Sequence, residues 1–209
     1  MSTTDNATAV AMKRWDRNAP IYDLMEGLIE RLRFQEWRPL LWSKVEGIKI
    51  LEVGVGTGKN FPYYPPEADI TAIDFSEKMI EQAKRRPGKF NLNMNPQQMD
   101  VQNLQFEDNT FDTVIGSCIF CSVPDPIKGL REVQRVCKSG GKVVLLEHVL
   151  HANRVIAFLM NLANPLVVRM VGPNINRRTV ENAAQIGLAI ERVTELWLGI
   201  FKLIEARKN

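Results

Sequence analysis

Ile50-Leu51-Glu52-Val53-Gly54-Val55-Gly56-Thr57-Gly58 is an apolar run that breaks into three glycines at alternate positions. Glycine is needed at such a break for two reasons: the chain doubles back sharply, and its backbone must come within contact distance of a ligand with no Cβ in the way. A three-glycine turn alone is only moderately specific. Two acids sharpen it. Glu52 stands two residues before Gly54, and Asp74 ends the next apolar stretch, about 20 residues beyond the turn. The preceding segment, Lys49 to Val53, is short, apolar and bounded by Gly47 and Gly54, and reads as a first buried strand.

Outward from this turn, strand and helix alternate, the pattern of a parallel sheet covered on both faces. Asp69 to Asp74 is a second strand. Ser76 caps a helix over Glu77 to Arg85, with Glu77 favourable in its first turn, and Pro87-Gly88 stops it. Leu92 to Met99 is a weaker third strand, followed by an acidic, amide-rich loop over Asp100 to Asn109. Thr113 to Ser117 is a fourth strand. Pro124 and Pro126 start a helix over Ile127 to Cys137, which Ser139-Gly140-Gly141 ends. Lys142 to Glu147 is a fifth strand. Val155 to Met170 is rich in Leu, Met and Val but interrupted by Pro165, so it reads as neither a clean helix nor a strand. Thr179 to Ile186 is helical. Ile190 to Leu196 and Phe201 to Ala206 are final strands whose short connection predicts an antiparallel hairpin.

Ahead of the sheet, Met1 to Ala9 is expected to be a disordered tail and Val10 to Trp42 to be helical. The helical stretch holds Trp15, Trp37 and Trp42, with Phe34 and Arg31, Arg33 and Arg38 among them. That composition fits three roles: packing onto the domain, a lid over a site, or a membrane-surface segment, the last two extending over residues 10–46. At 209 residues the chain fills one domain, residues 10–209, with little to spare for a second.

A formal charge of +3 with scattered basic residues excludes the dense Lys/Arg face of a nucleic-acid-binding domain. The small basic groups Arg31/Arg33, Lys84/Arg85/Arg86 and Arg177/Arg178 read as solvated faces, with attraction to an anionic membrane surface as the alternative. No apolar run reaches the roughly 18 to 20 residues that span a bilayer. Three cysteines and a polar N-terminus without a leader predict a reducing cytoplasm, with peripheral contact at the inner face of a membrane as a further possibility. Cys118 and Cys121 form a C-x-x-C pair, but beyond Cys137 only His148 and His151 remain as soft ligands, without a second pair at metal-site spacing. No metal is expected.

An acid after the second strand accepts hydrogen bonds from the ribose hydroxyls of an adenosine. The ligand is therefore a nucleoside derivative, with NAD and S-adenosylmethionine both open at this point. Five pieces in order narrow the choice: Leu51 to Gly58; Ile73-Asp74-Phe75-Ser76 with Met79; Met99-Asp100-Val101; Phe111-Asp112-Thr113-Val114; and Glu132 to Gly141. On these the chain resembles the class I S-adenosylmethionine-dependent methyltransferases, from about Trp15 to the C-terminus. The resemblance implies a Rossmann-like α/β fold with a mostly parallel seven-stranded sheet, and a terminal antiparallel hairpin as inferred above. It also implies S-adenosylmethionine as cofactor. Glu52, Gly54, Gly56 and Gly58 would hold its methionine part, Asp74 its ribose, Phe75 and Met79 the adenine face, and Asp100 with Val101 the adenine edge. For Met79 an ordinary place in the core is an equal expectation.

Ligands of open α/β sheets sit beyond the carboxyl ends of the strands. Ser117, Cys118 and Ile119 at one strand end, and Glu147, His148 and Val149 at another, are thus expected to face the transferred methyl group, with Ser117 counted in the cofactor site. His148 is the candidate base or orienting group, against a structural imidazole in the pocket wall. Tyr22, in Pro20-Ile21-Tyr22-Asp23, is expected to close over the cofactor, as the N-terminal Tyr-Asp pair does in similar family members. Cys118 reads as a lining thiol. The look of the chain is closest to small members acting on lipids, quinones or thiols: phosphatidylethanolamine N-methyltransferases, quinone C-methyltransferases and methyltransferase-like thiol enzymes. The apolar segment Ile156 to Met170 and the Trp-rich N-terminal helix favour a lipid acceptor at a membrane surface. A non-catalytic protein that binds an adenosyl ligand is the alternative of another class.

Overall fold

Alternation of buried strands with amphipathic helices is what the computed structural model of the chain displays; it describes residues 7–19, 33–86 and 95–209. In chain order the elements are α1 (residues 7–19), α2 (Gln35–Trp42), β1 (Lys49–Val53), β2 (Asp69–Asp74), α3 (Glu77–Lys84), β3 (Gln97–Gln98), β4 (Phe111–Ser117), α4 (Pro126–Val136), β5 (Cys137–His148), α5 (Arg154–Met170), α6 (Thr179–Gln185), β6 (Ala189–Glu195) and β7 (Phe201–Arg207). The strands form one sheet of order β3-β2-β1-β4-β5-β7-β6. β1 pairs in parallel with β2 and β4, and β4 with β5. β7 runs antiparallel to both β5 and β6. This is the Rossmann-like seven-stranded sheet with a reversed final hairpin. The strand order turns back between β1 and β4, which opens the crevice where such sheets bind ligands.

Apolar side chains on the two faces of the sheet make two cores. Leu51, Val53, Val114, Val143, Leu145 and Ile204 point to one face, where Leu130 and Val133 of α4 and Ala183 of α6 cover them. Ile50, Ile115, Val144, Leu146 and Leu203 point to the other, covered by Trp37, Leu41 and Trp42 of α2 and by Ile80 and Ala83 of α3. The period of two along each strand assigns these faces. Ser76 caps α3, accepting from the Met79 amide at 3.2 Å, and Asp125 caps α4, accepting from the Lys128 amide at 3.0 Å. Trp37 and Trp42 thus pack α2 onto the domain.

Four expectations need revision. Ala7, Thr8 and Ala9 belong to α1 rather than to a disordered tail. Gln97–Gln98 is the part of the expected third strand that pairs with β2, residues 87–94 of that region lying outside the described set. α4 ends at Val136, and β5 begins at once with Cys137, so Ser139-Gly140-Gly141 lies inside a strand whose pairing with β4 is irregular between Phe111 and Thr113. Residues 35–42 and 10–19 are helical as expected, while 20–32, including Tyr22 and Arg31, lie outside the described residues.

The largest revision is at Arg154–Met170, a single 17-residue helix that runs through Pro165. A proline removes one amide donor and crowds the carbonyl four residues earlier. Residue 165 is exposed, and the helix has a strong start in Asn153, whose side chain accepts from the Val155 and Ile156 amides. The apolar composition that obscured the periodicity has a second consequence: no residue of α5 is buried.

Leu130→Ala tests the packing of α4 on the sheet, since Leu130 is fully buried. Truncating it removes roughly 3 kcal/mol of unfolding free energy, measured by denaturant titration; a loss below about 1 kcal/mol contradicts the packing described.

Candidate active site

The loop after β1 and the loop after β2 are tied together by one carboxylate. Asp74 Oδ2 accepts from the Gly56 amide at 2.9 Å, and Oδ1 from the Ser76 amide at 2.9 Å. Gly56 has φ +55° and nothing within 4 Å of where a Cβ would stand, so its backbone faces open space. Gly58, with φ +78°, is excluded from bearing a side chain for another reason: a Cβ would lie 2.5 Å from the Phe61 ring.

Beyond these loops lies a cavity of about 650 Å³. Its wall includes Gly54, Gly56, Asp74, Phe75, Met79, Asp100 and Val101, together with Ser117, Cys118 and Ile119 at the end of β4. Eight of the twelve expected site residues are thus brought together. Three other lining groups were not expected as site residues from the sequence: Ile73, Met99, and the run Ser122-Val123-Pro124 just before the α4 cap. Trp15 closes one side, so α1 lies against the cavity. It is held there by polar contacts to three separate places. Ser76 Oγ donates to Asp16 at 2.6 Å, Gln102 Nε2 donates to Thr8 Oγ1 at 3.0 Å, and Asn18 Nδ2 donates to the Val171 carbonyl at 3.0 Å. Gln102 also donates to both oxygens of Asp100 and accepts from the Asp125 amide, which fixes the adjoining loop.

Glu52, Gly58 and His148 are not among the lining residues, and Tyr22 lies outside the described set. Glu52 shares the sheet face of Ile50, on which Trp42 and Tyr64 pack, and it is fully buried. Its carboxylate accepts from Tyr64 Oη and, at 2.5 Å, from Asn60 Nδ2, and Asn60 in turn accepts from Arg38 at 2.6 Å. The acid is thus committed to holding the glycine turn and the turn after it against the core. Burial pushes its pKa up to about 6, against the opposing hydrogen bonds from Tyr64 and Asn60. His148 packs edge-on to Phe201, with ring centroids 5.0 Å apart, and its Nδ1 is buried with no partner among the described residues. Burial lowers its pKa, with a backbone hydrogen bond at Ile175 working the other way. His148 thus packs against Phe201 and is not among the residues that line this cavity. The strand alternation that turns Glu147 and His148 to opposite faces was visible in the sequence; the loop after β4 that covers Glu147 was not.

That loop is organised by Glu147. Its Oε1 accepts from the Ile119 and Phe120 amides at 3.0 and 3.1 Å, while Oε2 is buried with no partner among the described residues. Burial raises its pKa to about 7. Cys118, at φ +54°, marks the sharp turn by which the chain leaves β4 for the cavity wall. Cys121 is buried and its thiol is pushed up to about 12, chiefly by desolvation. Among the described residues no group of three or more His, Cys, Asp or Glu is placed to hold a metal.

Comparison with known proteins agrees with this geometry. Residues 51–145 match the family described as methyltransferase domain. The chain is similar to a phosphatidylethanolamine N-methyltransferase of Cereibacter sphaeroides, 35% identical over 145 residues covering 68% of each chain. It is also 35% identical to a demethylmenaquinone methyltransferase of Renibacterium salmoninarum over 137 residues, 64% of this chain and little over half, 56%, of that one. In fold it resembles a crystal structure of an S-adenosylmethionine-dependent methyltransferase from Thermotoga maritima described as a possible histamine N-methyltransferase. The TM-score is 0.72 at 17% identity, with 94% of this chain and 99% of that one covered.

The buried acids make stability depend on pH with a definite sign. Glu147 has a folded pKa of about 7, and Asp74 and Glu52 of about 6, all above their ordinary values because burial penalises the charge. Between about pH 4 and 7 the native state therefore binds more protons than the unfolded chain, and stability falls as pH rises through that window. Glu147→Gln, which does not ionise, is expected to gain on the wild type as pH rises from about 5 to about 8 in denaturant titrations. A difference between the two proteins that is independent of pH would show that Glu147 titrates as an ordinary surface acid.

Proposed function

The chain belongs to the class I S-adenosylmethionine-dependent methyltransferases, and from that premise we propose that it methylates the amine of a phospholipid, phosphatidylethanolamine being the best representative, at a membrane surface. The observation that carries this reading is the exposed face of α5. Phe158, Leu162, Leu166 and Met170 are each more than 60% exposed, and Val155 and Leu159 join them at helical spacing. The helix contains no acid and carries Arg154 and Arg169 near its ends. An apolar stripe framed by cations suits a helix lying in the headgroup region of a bilayer. Among the described residues no helix is long and apolar enough to cross a membrane, so contact through this face would be from one side. Similarity to the Cereibacter sphaeroides N-methyltransferase supports the same substrate class.

The cavity suits the cofactor. Each Asp74 oxygen accepts one backbone amide and retains a further lone pair, enough to accept both ribose hydroxyls. Phe75, Met79, Met99 and Val101 offer apolar and sulfur contacts to the faces of adenine, and Asp100 an acceptor for its amino edge. Gly54 and Gly56 leave the backbone open to the methionine part. Glu52 serves this site as a positioning residue, through Asn60, and Gly58 through its fit against Phe61. When bound, the cofactor supplies a methyl group on an electrophilic sulfonium.

The protein's part is to hold the acceptor nitrogen in line with that carbon and to exclude water, which Trp15, Cys118 and Ile119 do as cavity walls. A phospholipid amine is protonated at neutral pH and gives one proton to solvent before its lone pair attacks the methyl carbon, no imidazole standing among the described lining residues to take it.

Two measurements test the reading. Asp74→Asn weakens S-adenosylhomocysteine binding, and wild-type affinity falls as pH drops below about 6, because the ionised carboxylate is the better acceptor and burial has raised its pKa to that value. Affinity unchanged by the substitution contradicts the ribose assignment. Labelled S-adenosylmethionine supplied with phosphatidylethanolamine vesicles, a demethylated menaquinone or an alkyl thiol should mark the phospholipid, and Phe158→Glu/Leu162→Glu should abolish vesicle sedimentation and phospholipid turnover with cofactor affinity unchanged. Label confined to the quinone or thiol overturns the phospholipid reading.

A further inference from the structure

A second cavity, broad and open to solvent, adjoins the first. Val10 and Arg14 of α1 form one wall, Ser122 and Pro124 another, and Asn174 and Arg177, on the segment leaving α5, a third. Ser122 and Pro124 line both cavities, so a molecule seated in the second presents one end to the first. The described lining holds two guanidinium groups and no carboxylate.

Both arginines are held in place with donors to spare. Arg177 donates through one terminal nitrogen to the Val123 carbonyl at 2.7 Å, while its Nε is buried without a partner among the described residues. Its backbone is fixed as well, the carbonyl accepting from the Leu150 amide at 2.8 Å. Burial is the main influence on its pKa and lowers it, with Glu147 and Asp125 among the groups opposing. A desolvated guanidinium with an idle donor gains from an arriving anion. Among the described residues Arg14 reaches the Gly172 carbonyl alone, at 3.5 Å, the limit of a hydrogen bond, which leaves most of its five donors for a ligand. Asn174 is anchored to the Cys121 carbonyl through both its amides, at 2.7 and 3.0 Å, and so fixes the third wall against the loop that the cavities share.

We propose that Arg14 and Arg177 form the subsite for the phosphodiester of a membrane phospholipid, and so set the enzyme's choice of acceptor. This rests on the phospholipid reading above and goes beyond it by naming the residues that select the headgroup. The order of groups along the lipid matches their order in the fold. The acyl chains lie toward the exposed face of α5, whose last residue, Met170, stands two positions before Gly172 in this cavity's wall. The phosphate lies between the arginines, where an anion has paired donors to accept from. The amine extends past Ser122 and Pro124 to the methyl-transfer cavity. Continuity with α5 favours a lipid over free phosphate, which has no use for an apolar helix.

The test is calorimetric titration of glycerophosphoethanolamine, which has the diester and the amine but no chains, into the full chain loaded with S-adenosylhomocysteine. Arg14→Gln and Arg177→Gln should each weaken its binding by about ten-fold or more, with S-adenosylhomocysteine affinity retained as the check on folding. Arg14→Gln keeps the proposal falsifiable if the loss of the Val123 bond disturbs the other variant. Absence of binding to the wild type, or equal binding by wild type and Arg14→Gln, overturns the subsite. Inorganic phosphate binding as tightly as the diester overturns its assignment to a lipid. Arginine-dependent binding of the diester, with no label transferred to phosphatidylethanolamine in vesicles, supports the subsite and overturns the phospholipid N-methylation reading instead.

Discussion

The buried carboxylate of Asp74 is the constraint on which the site depends. By accepting from the Gly56 and Ser76 amides it fixes the loops after β1 and β2, which meet at the mouth of the cavity. Ser76 passes the constraint on in two directions, capping α3 through its oxygen and donating to Asp16 of α1. One side chain thus links the glycine turn, the helix behind it and the helix in front. The cost is visible in its raised pKa, because a charge is held where water is excluded. An adenosine ribose offering two hydroxyls would offset part of that cost, which is why the same group serves both architecture and binding.

The same device recurs at two other strands. Glu52, near the end of β1, grips Asn60 and Tyr64, and Glu147, near the end of β5, grips the Ile119 and Phe120 amides. Glu147 satisfies two backbone donors of an irregular loop, and Glu52 two side-chain donors, each acid rising from the strand beneath. The cavity is therefore framed by three buried acids, of which Asp74 alone lines it. Opposite this rigid frame lies α5, whose apolar residues find no place in either core. The two halves suit an enzyme that keeps a soluble cofactor in a preformed pocket and meets its acceptor at a surface.

Much of this was legible in the sequence. Short apolar runs bounded by turn residues located β1, β2, β4 and the second half of β5, and the spacing of Gly54, Gly56 and Asp74 located the crevice, because these signals arise from local geometry. What was not legible depends on direction and on tertiary cover. Glu52 lies two residues from the turn, yet strand alternation sends it to the face packed by Trp42 and Tyr64. His148 ends a strand as expected, but Phe201 of the antiparallel neighbour covers it. Pro165 masked the helical period of α5, since composition alone does not tell whether a missing amide donor falls where a long helix tolerates it. Cys121-Ser122-Val123 resembles the phospholipid and thiol enzymes, but that resemblance did not show it as a wall, which it becomes because Glu147 holds the chain just before it.

The most direct test of this account is a crystal structure of the chain with S-adenosylhomocysteine. The account predicts the adenosyl group in the cavity bounded by Trp15, Phe75, Met79 and Val101, with both ribose hydroxyls on Asp74 and the Glu52 carboxylate still held by Asn60 and Tyr64. A ligand seated outside that cavity, or one whose ribose makes no contact with Asp74, would contradict it.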